Sequence, residues 1–115
     1  MFEHWLETDL QKLPIVRQLT GRYFSQDSGA NRIGVKVTDG GQPITLSGTV
    51  TASVVKPDGT TTVINGSKSS NRAWVDLSSS AYSAVGKIGV FIKITNGTEV
   101  STLGGIEAYV YPSSL

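Results

Sequence analysis

The sequence predicts an all-β fold: a two-sheet antiparallel β-sandwich, immunoglobulin-like, of seven to eight strands with an N-terminal arm. Three observations predict it. Short segments alternate apolar and polar residues with period two, and Gly, Asn, Asp and Pro turn signals separate them at roughly eight to twelve residues. The composition agrees, with 13 glycines and 38% hydrophobic but only 17% charged residues in 115, too apolar for a disordered chain and too turn-rich for a helical bundle. A small closed barrel is the alternative arrangement of the same strands.

A chain of this length fits one domain with one core. Within it, residues 1–14 read as the arm and 15–115 as the sandwich. The stretch FEHWLETDLQKL is ambiguous, because Phe2, Trp5, Leu6, Asp9, Leu10 and Leu13 approximate helical spacing while Phe2, His4, Leu6, Thr8 and Leu10 alternate. Pro14 closes it, since proline lacks a backbone donor and disfavours helical geometry in the residue before it.

From Ile15 the period is two. A first strand runs to Tyr23 and Phe24 and is followed by a loop from Ser25 to Asn31. Ile33, Val35 and Val37 share one face of the second, which ends at the Asp39-Gly40-Gly41 turn. Val50, Ala52 and Val54 mark the third, and Pro57-Asp58-Gly59 folds Thr60 to Ile64 back as the fourth, which stops at Asn65-Gly66. Ala73, Val75 and Leu77 mark the fifth. Ser78 to Val85 lacks the alternation and reads as a crossing loop with room for one serine-capped helical turn. Ile88, Val90, Ile92 and Ile94 form the clearest inward row, joined through Asn96-Gly97 as a two-residue hairpin to Glu99–Leu103. Gly104-Gly105 permits a bend or bulge before Ile106, Ala108 and Val110 turn inward again.

Several function classes are disfavoured. The formal charge is +1 and the ten Lys and Arg are scattered, so no field gathers nucleic acid. Cysteine is absent, which removes disulfides, thiolate metal sites and a thiol nucleophile and suits synthesis in a reducing cytoplasm. No apolar run approaches the roughly 20 residues that cross a bilayer, and Glu3, His4 and Glu7 stand where a secretory signal needs positive charge and then apolar residues. The one histidine, His4, lies in the arm, away from any serine that it could activate. The aspartates are spread among turns, where they bond their own backbone, so no metal or other cofactor is expected. Asp76, Glu99 and Glu107 could supply paired carboxylates only by converging in space, and no insertion builds a cleft around them. Asn65-Gly66-Ser67 and Asn96-Gly97-Thr98 match the glycosylation pattern but read as turns. No catalytic residue is expected, and the protein is not read as an enzyme.

The inward rows leave Trp74, Phe91 and Tyr109 on outer faces. Each such ring can remove roughly 150–250 Å² from water at about 25 cal/mol per Å², so each needs a cover. The arm with Trp5 and Leu6, a neighbouring subunit or a stacked sugar could provide it. The expected interface set is Phe2, Trp5, Leu6, Leu10, Trp74, Phe91 and Tyr109.

In order along the chain stand Phe24-Ser25-Gln26-Asp27, Asn31-Arg32-Ile33, Gly41-Gln42-Pro43, Leu46-Ser47-Gly48, Pro57-Asp58-Gly59, and Ala81-Tyr82 with Gly86. Over about Leu6 to Tyr111 this set resembles the N-terminal domain of the phage baseplate upper protein family. The resemblance implies a non-enzymatic structural virion protein of a tailed phage, made in the bacterial host cytoplasm. It would oligomerise with itself, as in a trimer, and hold other tail or receptor-binding proteins. Family members usually continue into a receptor-binding module, whereas this sequence ends at Leu115: either it is a fragment or the member is reduced to the anchoring domain, which weighs against direct host binding. A glycan-binding module stacking sugars on Trp74 or Tyr109, and a bacterial adhesin domain, are the alternatives.

Overall fold

The computed structural model describes residues 2–13, 15–18, 23–24, 31–77 and 84–112. Among them the chain is all-β, with eleven strands: β1 (Phe2–Asp9), β2 (Ile15–Gln18), β3 (Tyr23–Phe24), β4 (Asn31–Asp39), β5 (Gln42–Pro43), β6 (Thr49–Val55), β7 (Thr61–Asn65), β8 (Ser67–Ser69), β9 (Arg72–Leu77), β10 (Gly86–Asn96) and β11 (Glu99–Tyr111). Sheet A has the order β1-β4-β9-β8, with β5 also pairing β4, and sheet B has the order β2-β11-β10-β6-β7, with β3 also pairing β11. The two stack as a sandwich. The loop expected at Ser25 to Asn31 and the helical turn expected within Ser78 to Val85 lie mostly outside the described residues.

Alternation decides what fills the space between the sheets. Ile33, Val35 and Val37 of β4, Val50, Ala52 and Val54 of β6, Ala73, Val75 and Leu77 of β9, and Ile88, Val90 and Ile92 of β10 are all buried in one cluster with Ile106, Ala108 and Val110 of β11. Because the side-chain period is two, this register commits the intervening residues to the outer faces. Ile94 is partly buried and packs against the edge of the cluster.

Two features differ from the sequence reading. The sheets are mixed: β1 runs parallel to β4, and β2 and β3 run parallel to β11. Hairpin turns announce antiparallel neighbours but leave no mark for a parallel partner distant in sequence. Residues 2–9, read as part of an arm, are an edge strand of sheet A in continuous register from Phe2 beside Asn31 to Asp9 beside Thr38. Leu6 points into the core with 2% of its surface exposed. The extra strands over the expected seven or eight come from β1 and from the short pieces β3, β5 and β8.

Turns and bulge follow local chemistry. Gly40 and Gly41 form the loop between Asp39 and Gln42, and both have positive φ, 60° and 86°, the pattern of a type I′ hairpin. At the β10–β11 hairpin, Asn96 pairs with Glu99, so the loop is Gly97-Thr98, one residue later than read, with positive φ at Gly97 as in a type II′ turn. Pairing shifts between Ile92 beside Gly104 and Lys93 beside Thr102. Leu103 is therefore the bulged residue, immediately before the two glycines expected to permit it, and its side chain is buried.

Asp9 locks the end of β1. Its carboxylate accepts from the Gln11 N–H (2.9 Å), the Gly41 N–H (2.7 Å), the Gly40 N–H (3.1 Å) and the Thr38 hydroxyl (2.9 Å). The Gln11 N–H, followed by the Gly41 N–H and the Thr38 hydroxyl, holds it well below the ordinary value of 3.8. A depressed folded pKa stabilises the fold above the unfolded value, and that contribution disappears as pH falls below about 3.8. Stability measured by denaturation should therefore drop on acidification below pH 4, and Asp9→Asn should lower stability at neutral pH and flatten that drop. In the core, Ile92→Ala should cost about 2–5 kcal/mol in urea unfolding, by lost burial and the cavity left behind.

Candidate functional site

Outer positions of sheet A form three cross-strand rows. Glu3, Arg32 and Asp76 make the first, Trp5, Gly34 and Trp74 the second, and Glu7, Lys36 and Arg72 the third. The rows are largely self-satisfied. Arg32 donates through Nε to Asp76 at 2.8 Å, which raises its pKa, and its guanidinium lies 5.2 Å from the centre of the Trp74 ring. Arg72 sits 5.7 Å from the Trp5 ring, whose Nε1–H donates to Glu3 at 2.9 Å. The two indoles meet edge to face with centroids 6.1 Å apart. Gly34 makes the meeting possible, because a Cβ there would lie 2.4 Å from the Trp5 ring.

The outer face of sheet B is of another kind. Its central row runs Val16, Gly105, Phe91, Ser53, Val63. The Phe91 ring lies over two glycines of its own sheet: a Cβ on Gly105 would come within 2.7 Å of it, and one on Gly89 within 2.8 Å. Beside it Val55, Pro57, Gly86, Lys87 and Glu107 help line an open groove of about 550 Å³. Lys87 and Glu107 pair at 2.9 Å across its mouth, an exposed contact of little energetic weight. Tyr109, 46% exposed, stands against Tyr111 with ring centroids 5.1 Å apart.

The residues expected at an interface thus part company. Trp5 and Trp74 cover one another within the chain, and Leu6 is a core residue with no surface to offer. Leu10 is about half exposed in the turn after β1, and Phe2 pairs through its backbone with Asn31. Phe91 and Tyr109 share the outer face of sheet B. The sequence reading did not single out Val16, Val55 or Val63, although the alternation that placed Ile92 inward also places these outward.

Asp76, Glu99 and Glu107 do not converge. Asp76 lies on the outer face of sheet A beside Arg32, whereas Glu107 lies on that of sheet B. Glu99 is eight residues up β11 from Glu107, about 26 Å at strand rise. Among the described residues no three His, Asp or Glu side chains gather as metal ligands. His4 sits in β1 beside Ile33, half-buried, and desolvation lowers its pKa.

Both tryptophans lie in the sheet A cluster, so tryptophan emission, excited apart from that of the tyrosines, reports on that face. Gly34→Ala should displace Trp5, lower the melting temperature, and raise acrylamide quenching of the emission.

No family model matches the chain, and no curated protein matches it. Among solved structures it is similar to the N-terminal domain of phage TP901-1 ORF48, with a TM-score of 0.55 over 97% of this chain and 98% of that one, at 12% sequence identity. At that identity the likeness is one of fold.

Proposed function

We propose that this chain is a non-enzymatic structural part of a tailed-phage virion, a baseplate or tail-tip domain that assembles in several copies and anchors receptor-binding components. The observation that carries this reading is the end-to-end match in fold to a domain of a phage protein, covering 97% of one chain and 98% of the other. The ordered motifs from Phe24-Ser25-Gln26-Asp27 to Gly86 point the same way, and the sandwich is read as immunoglobulin-like in shape.

The surface supports docking better than reaction. Asp76 and Glu107 are paired with cations on opposite sheets, and Asp9 and Asp58 are taken up by turn hydrogen bonds. Sheet B presents Phe91, Tyr109, Val16 and Val63 outward, the kind of apolar surface that a neighbouring protein shelters. Of the expected interface residues, Tyr109 and Leu10 are about half exposed, while Phe91, Trp5 and Trp74 are half-buried. Against a sugar platform on Trp74 stands Arg32, which already lies near that ring. Tyr109 remains the position from which a glycan reading would start.

Light scattering across a concentration series should give a mass above the monomer's 12.2 kDa. Tyr109→Asp should weaken association about tenfold without lowering the melting temperature by more than a few degrees. A monomer at every concentration would count against the assembly.

A further inference from the structure

A sheet ends in strands whose outer backbone groups lack a partner within the sheet, and proteins usually shield such edges with charge, proline, breaks or short length. Three of the four edges here are shielded in this way. β1 carries exposed Glu3 and Glu7, β8 is three residues long with Lys68 at its centre, and the β2 side offers the four-residue β2, with exposed Arg17, and the two-residue β3. The fourth edge, β7, is not shielded. Its sequence Thr61-Thr62-Val63-Ile64-Asn65 has no charge, no proline and no bulge against β6, and Val63 is 63% exposed.

The backbone direction along β7 follows from its two ends. The Lys56 N–H donates to the Thr60 carbonyl at 2.8 Å, and the Gly66 N–H donates to the Val50 carbonyl at 2.9 Å. Bonding alternates along an antiparallel pair, so Thr60, Thr62, Ile64 and Gly66 turn their N–H and C=O groups toward β6. Thr61, Val63 and Asn65 turn theirs to the outside, where no described strand meets them. These three positions are symmetric about Val63.

We propose that β7 is the docking edge for a second copy of this chain, whose own β7 lies antiparallel to it across a two-fold axis at Val63. Thr61 then faces Asn65 of the partner subunit, and Val63 faces Val63 of the partner subunit. About six backbone hydrogen bonds form, two for each facing pair, and sheet B becomes one sheet of twice the width. A second copy fits because the arrangement satisfies all three outward positions at once and brings the two exposed valines together. This rests on the oligomeric part of the proposed function and names one of its contacts.

The test uses the whole chain, which has no cysteine of its own. Val63→Cys should oxidise to a covalent dimer at least tenfold faster than Thr98→Cys, placed at the exposed tip of the β10–β11 hairpin. Val63→Lys should weaken association at least tenfold in sedimentation velocity, with an unchanged far-UV spectrum. If Val63→Lys associates like the parent and Val63→Cys cross-links no faster than Thr98→Cys, the edge contact is overturned while assembly through another surface stands. A parent chain that sediments as a monomer at all concentrations overturns both.

Discussion

The shared interior of the two sheets is the constraint on which the rest of the molecule depends. Ile33, Val35 and Val37 from sheet A and Ile88, Val90 and Ile92 from sheet B are sealed from water in one cluster. Because strand side chains alternate, sealing them dictates which residues face outward. A slip of one residue in β10 would drive Phe91 and Lys93 inward and expose Ile92, so burial of the row holds the surface pattern in place as firmly as it holds the core.

The two outer faces resolve the same problem differently. On sheet A the aromatic rings find company in the chain: Trp5 and Trp74 meet above Gly34, and arginines lie near both rings. On sheet B the glycines at 89 and 105 let Phe91 lie down on its own sheet, which shields part of the ring and the glycine backbone together. Tyr109, though its ring meets that of Tyr111, and Val16 and Val63 remain about half exposed or more. The contrast is what directs attention to sheet B as the face turned toward other molecules.

The inward rows and most turns were legible because both are written locally, in alternation and in turn residues. Parallel pairing was not. Nothing in FEHWLETD indicates that its partner is Asn31–Asp39, and with helical and strand spacing both present the segment read as an arm. The arm with Trp5 was one of three covers open for Trp74, and the choice among them depends on which strand lies next but one to β9. Asn96-Gly97 and Gly104-Gly105 were right in kind and off by one position. The residues of the candidate surface were half legible: Phe91 and Tyr109 stood out by size, whereas Val63 matters only because β7 proves to be an edge.

The parallel union of β1 with β4 bears on how the chain is made. During synthesis β1 emerges before the strand it needs, and some twenty residues separate Asp9 from Asn31. Its ladder waits for Asn31–Thr38, and the cradle around Asp9 for Gly40 and Gly41. β2 and β3 wait longer still, for β11, so the first strand is the first to meet its partner and sheet B closes only once its last strand has been made.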